Sequence, residues 1–203
     1  MTSFDLSNDM LVKRRKVTSW IIIVMDNFDR KHLKHATCAT LRLFDRVVTN
    51  EVPTDLLQSV AVGVMYIACK ATNIDVNIDT LLYYSGGGCS IDSLLDVAPL
   101  MRVLHEEDLS ITTLPTYYIT DLMHLMRLEG PLQPVVRWII HLMSNSRYLS
   151  LETTPRMTAA IALLAYNNYL SSRSFKLSAP ALLRDFSFVI KTRRHKRPER
   201  RAQ

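Results

Sequence analysis

The ten residues from Val60 to Cys69, VAVGVMYIAC, carry no charge and little polarity on any face. A helix that is apolar all round is buried all round. At this length it is about half of what a bilayer span requires. The stretch therefore predicts the central helix of an all-α domain, running from Val52 to Cys69. Pro53 and Thr54 read as its start, because proline suits the first turn and threonine can cap it. Asp55 follows where the positive end of the helix dipole favours a carboxylate. Lys70 is the first charge after the run, at the point where the helix emerges.

The rest of the composition agrees with a helical core. Apolar residues are 48% of the 203 and charged residues 22%, the balance of a globular protein. That length holds one large domain or two small ones. Five glycines, three of them consecutive at Gly86–Gly88, and eight prolines argue against a many-turned β sandwich. Cys38, Cys69 and Cys89 are an odd count with no CxxC, so neither a disulfide framework nor a zinc site is expected. The chain reads as reduced and intracellular. Its first residues, MTSFDLSNDM, have no apolar h-region, which reads as no secretory signal. The net charge of +6 is placed unevenly. Lys191–Arg201 holds seven basic residues and one acid, and the rest of the chain is neutral, with 18 of each sign. The tail KTRRHKRPERR reads as a disordered arm, with nuclear import, non-specific contact with nucleic acid, or no role as its readings.

Helices are expected over Asn8–Asn27, Leu33–Thr49, Val52–Cys69 and Asp79–Tyr84, where the triple glycine ends the last of them. A longer helix is expected over Ser90–Glu107, capped by Ser90 or Asp92 and kinked at Pro99. After Pro115 the pattern repeats. TYYITDLMHLM is helical, Pro131–Asn145 follows, and TTPRMTAAIALLAYNNYL has the construction of the Val52 helix: a Thr-Pro start and an uncharged, small and apolar run. Pro53 and Pro155 stand 102 residues apart. A period of that size is a duplicated domain rather than a solenoid repeat. The organisation expected is two tandem helical subdomains, 9–110 and a truncated 115–190, followed by the basic tail 191–203.

Four segments in this order resemble the cyclin family. Arg14 followed six residues later by Trp20 is similar to the first helix of the cyclin box. LRLFDRVV at 41–48 resembles the second helix, where an aspartate–arginine pair follows an aromatic. VPTDLLQSVAVGVMYIACK resembles the third, with Gln58 and Lys70 twelve apart. PRMTAAIALLA at 155–165 is similar to the third helix of the second repeat in D-type and viral cyclins, and the chain looks more like a viral cyclin than a cellular one. The resemblance covers about residues 9–190. It implies a regulatory subunit, not an enzyme, that binds and activates a cyclin-dependent protein kinase and promotes cell-cycle progression in the nucleus and cytoplasm.

The resemblance also assigns residues. Lys70, with Ala71 and Thr72 behind it and Asp96 downstream, would bind the kinase. Arg14, Trp20, Asp45 and Arg46 would hold the box together, the Asp45 carboxylate tying the second helix to a basic side chain of the first such as Arg14. The chain departs from the family in three places. Acidic residues usually follow the lysine where Ala71 and Thr72 stand. The glutamate of helix five aligns with Ala98, and Asp96 reaches its place only with a small shift. The groove that docks Arg-x-Leu motifs corresponds to Lys13, Arg14, Lys16, Val17, Trp20, Ile23 and Gln58. There Ile23 replaces the receiving glutamate, and Lys13 and Lys16 replace apolar residues, which predicts weak or no docking of that motif.

Other readings stand beside this one. Lys70 as an ordinary solvated lysine and KRRK at 13–16 as a solvated basic turn are the plain alternatives. A cyclin-fold module of transcription is opposed by the neutral body, since DNA readers carry a basic face. An interaction protein that keeps the fold without binding a kinase is favoured by the missing helix-five glutamate and the truncated second repeat. No cofactor, metal, membrane or small-molecule partner is expected. His32 and His35 lack ligand partners at metal spacing. The triple glycine has no phosphate-loop context, and no Ser/His/Asp or paired-carboxylate arrangement stands out.

Overall fold

The computed structural model describes residues 6–29, 34–128 and 130–171. Helix α1 (Asn8–Phe28) begins where the Ser7 hydroxyl accepts the Met10 N–H at 3.2 Å, with Asp9 in the first turn. Its buried face is Met10, Arg14, Thr18, Ile21, Val24 and Met25, at three- and four-residue spacing. Helix α2 (His35–Val47) is the best-enclosed element, with ten of thirteen residues buried. Its first turn is capped from outside: one Asp29 oxygen accepts the Thr37 N–H at 2.9 Å and the Thr37 hydroxyl at 3.0 Å. Lys34, just before it, takes a left-handed φ of 44°.

Helix α3 (Leu57–Ala71) carries the apolar run, and every residue from Val60 to Met65 is buried. It starts later than Pro53 and Thr54 suggest. Thr54–Leu56 forms a 3-10 turn, and the Thr54 hydroxyl accepts from Lys13 Nζ at 3.1 Å instead of capping α3. Centrality is also shared. α2 packs on α1, α3 and two later helices, and α3 packs on α1, α2 and the two short helices after it. Hydropathy hides the burial of α2 because Thr37 and Thr40 satisfy their hydroxyls locally, Thr40 donating to Ala36 O at 2.8 Å.

Those short helices are α4 (Ile78–Tyr84), capped by Asn77, and α5 (Ile91–Val97). Gly86 and Gly87 make the turn between them with φ of 62° and 84°. Ser90 and Ser93 form a reciprocal capping box at the start of α5. The single kinked helix expected over Ser90–Glu107 is not formed. α5 ends at Val97 and Leu100–Glu106 is a 3-10 segment. Pro99 has no N–H to continue the ladder. Beyond it come α6 (Ile119–Leu125), α7 (Leu132–Asn145), α8 (Arg147–Leu151) and α9 (Pro155–Ser171). The five-residue α8 was not anticipated by the sequence pattern.

The fold is all-α: no strand occurs among the described residues, and none of their helices is long and apolar enough to cross a membrane. The described residues up to Leu163 form one compact unit, and the end of α9 from Leu164 belongs to a second. The end of the expected second subdomain, the basic tail and His32 lie outside the described residues.

Candidate functional site

Two cation networks, one buried and one part-buried, fix the frame. Arg14, 1% exposed, meets Asp45, fully buried on α2, through two parallel bonds: Nε to Oδ1 at 2.5 Å and Nη2 to Oδ2 at 2.7 Å. The same guanidinium donates to Ser144 O at 2.7 Å and Met143 O at 3.0 Å, carbonyls of the last turn of α7. Arg147 of α8 returns the contact, donating to Asp45 O at 2.9 Å and Val48 O at 2.8 Å at the end of α2. Carbonyls at a helix C-terminus have no partner within the helix, and here each helix end is closed by an arginine from the other half of the sequence. Burial lowers the Arg147 pKa, and the Asp45 charge opposes that shift.

Asp45 and Arg46 do not act as one pair. Arg46 points away and bonds Glu107, whose other oxygen lies 3.6 Å from Arg42. Arg42 also donates to Thr113 O at 2.9 Å, and His35 pairs with Thr116 at 2.8 Å. The segment after the 3-10 turn is thus held along the outside of α2. Trp20 is half-buried on α1.

Lys70 sits in the last turn of α3, its side chain 47% exposed. Its ammonium lies 3.4 Å from the exposed Asp75 and 5.4 Å from the Tyr66 ring centroid. The helix terminates through Asn73 at φ 57°, with Ile74 N–H bonded to Cys69 O at 2.8 Å. Ala71 is exposed, whereas the Thr72 hydroxyl turns inward to Ala68 O at 2.8 Å. A cleft of about 380 Å³ opens just beyond, lined in part by Ala71, Thr72, Asn73, Asp29 and Ser110. Asp96 is exposed on α5, and the carboxylate beside Lys70 is Asp75. α5 lies along α3: Ser59 donates to Ser93 at 2.9 Å, and Met101 approaches so closely that a Cβ on Gly63 would stand 2.2 Å from it.

The residues of the expected docking groove are largely committed elsewhere. Arg14 is buried in the Asp45 network and presents nothing to a groove. Lys13 pairs with Asp9 at 2.5 Å. Gln58 donates to Ser85 O at 3.0 Å, and its Oε1 occupies the place a Cβ on Gly88 would take. Val17 is half-buried, Lys16 is exposed and Ile23 is 67% exposed.

Lys70 and the helix-end backbone behind it are thus exposed at the end of α3, and α5 presents an exposed face of its own. Among the described residues no group of three or more His, Cys, Asp or Glu could hold a metal. A family model, the cyclin N-terminal domain, matches residues 3–106. The chain belongs to the cyclin family. No curated protein and no solved structure matches it. The matching domain supports a cyclin-like regulatory role.

Sequence reasoning missed Arg147, Glu107 and Asp29. Arg147 and Glu107 act across sequence separations of 102 and 61 residues, which leave no local pattern. Asp29 reaches the first turn of α2 from six residues ahead of it, outside the adjacent position a helix cap normally holds. The paired exposed apolar residues Ile91 and Leu95 on α5, 58% and 66% exposed, were also legible as an i, i+4 pair.

Proposed function

We propose that this cyclin binds a cyclin-dependent protein kinase and holds it in its active state. The observation that carries the reading is Lys70, half-exposed at the end of a helix whose preceding residues are buried. At the end of a helix so fixed, the Lys70 ammonium offers three N–H donors. The partner element is the kinase helix carrying the glutamate that pairs with the catalytic lysine. Holding that helix inward shifts the kinase population toward the active state. Residues 155–165 support a place beside D-type and viral cyclins, and the role is promotion of the cell cycle.

The test is a pull-down of the tagged protein from a proliferating-cell lysate, wild type beside Lys70→Ala, with kinase activity assayed on a histone. A hydrogen bond to a charged donor contributes roughly 1.5–3 kcal/mol. Loss of Lys70 therefore weakens capture by about tenfold or more. A recovered kinase and activity that fall together in the variant support the reading; no kinase with the wild-type protein overturns it.

A further inference from the structure

We propose that the cleft between the start of α2 and the end of α3 binds an aliphatic amine, with its ammonium seated on the Asp29 carboxylate. The inference stands apart from the kinase reading. Asp29 is 1% exposed, yet its partners are incomplete. Its Oδ2 accepts the Thr37 N–H at 2.9 Å and the Thr37 hydroxyl at 3.0 Å. Its Oδ1 accepts no hydrogen bond among the described residues, and Asp29 forms no ion pair with any of them. The ammonium of Lys34 is close by but engaged elsewhere, on the Asp29 backbone carbonyl at 3.2 Å and on the Asp26 carboxylate. An ionised carboxylate has about four lone-pair sites. A buried charge without a counter-charge is costly, so this carboxylate favours an incoming cation.

The space beside it selects the shape of that cation. Asp29 lines a cleft of about 380 Å³, the size of a small-ligand site. Ile74, Leu109 and Ile111 give the cleft apolar walls, and Asn73 and Ser110 add exposed polar groups. Three separate turns bring these residues together. Asp29 closes α1, Asn73 ends α3 in a left-handed φ of 57°, and Ser110 opens the 3-10 turn Ile111–Thr113. An alkyl ammonium fits both parts of the site. Its charge pairs with Asp29, and its methylenes lie on the apolar walls as lysine stems do on protein surfaces. An anionic ligand would meet the Asp29 charge as a like charge. A metal ion lacks ligands, since among the described residues no group of three or more His, Cys, Asp or Glu could hold one. The same chemistry is carried by a free alkyl amine and by a lysine side chain.

The experiment titrates n-pentylamine, 1-pentanol and N-acetyl-lysine methylamide into the full chain and follows backbone amides by NMR. The alcohol has the length of the amine without its charge. Wild type is compared with Asp29→Asn and with Ala71→Trp. Ala71 is an exposed residue of the cleft wall, so tryptophan there fills the space and leaves Asp29 in place. Expected are saturable shifts at Asn73, Ile74 and Ser110 with pentylamine and none with pentanol. Asp29→Asn weakens binding by about tenfold or more, and Ala71→Trp abolishes it while its circular-dichroism melt matches wild type. Should Asp29→Asn loosen the first turn of α2, the alcohol and Ala71→Trp still decide. Equal binding of amine and alcohol, undiminished binding in a folded Asp29→Asn, or shifts confined to residues away from the cleft overturn the proposal. Tighter binding of the lysine derivative than of pentylamine upholds the site and assigns it to a lysine side chain. The reverse order upholds it and assigns it to a free amine.

Discussion

Arg14 uses a bidentate pair and two backbone carbonyls to bring α1, α2 and α7 to one point. Removing one partner of such a buried pair strands the other charge, so Asp45→Asn is expected to lower stability by about 3–5 kcal/mol. Urea denaturation measures it. Replacing both residues by apolar ones of similar size should recover much of the loss, and equal destabilisation by single and double variants would count against the stranded-charge account. A second residue-scale consequence concerns pH. Burial pushes the Cys38 thiol from its ordinary 9.0 up to about 12, with the Asp29 charge adding to the effect. Above pH 9.0 the unfolded chain releases a proton that the folded one keeps, so stability falls as pH rises toward 12. Cys69, pushed by burial up to about 11, acts in the same direction. Cys38→Ala should therefore flatten the decline of unfolding free energy with pH in that alkaline range; an unchanged slope would rule Cys38 out as its source.

The elements differ in how they are held. α1, α3 and α7 are stabilised by buried faces, but α5 is only seven residues long, too short to persist without its cap and its seat on α3. Ser93 is the hinge of both: its N–H and hydroxyl complete the capping box with Ser90, and its hydroxyl receives the bond from Ser59. Loss of the Ser90 cap by Ser90→Ala is expected to cost about 1 kcal/mol. Hydrogen exchange should quicken at the amides of Ser93 and Leu94 while those of α7 stay protected. Uniform quickening across the protein would mean that α5 opens only with the whole fold. The periodicity of α1, α2, α4 and α7 was legible because each has an apolar stripe and a turn residue at its end. The stretch after Val97 was not, since its leucine-rich pattern suits either helix type and Pro99 decides between them.

At the scale of the whole unit, the two parts of the sequence close each other's helix ends. Arg14 serves α7 and Arg147 serves α2. A fragment ending at residue 110 would leave the α2 surface uncovered and the Arg14 guanidinium short of two acceptors. It is expected to lack a cooperative thermal transition by circular dichroism, where a fragment ending at residue 171 melts sharply. A sharp transition in the shorter fragment would show that the first box needs no such closure. The charge of the molecule is likewise a property of this scale: sequence totals cancel, whereas the charged side chains between Glu51 and Met101, six acids and Lys70, are all exposed.

Local chemistry in the sequence was enough to determine the all-α class, the uncharged run of α3 with Lys70 at its exit, a cap at Ser90 or Asp92 and, within residues 3–106, the segments that resemble a cyclin. Each of these rests on residues within a few positions of one another. Tertiary structure alone decided that Asp45 and Arg46 part company, that Arg14 is withdrawn into the core, that Gln58 braces the glycine turn, and that α2 is more fully enclosed than α3. Those outcomes depend on which groups meet across 27 to 130 residues of chain. A buried charge or amide takes whatever partner packing brings within reach, and packing is settled by all the helices at once.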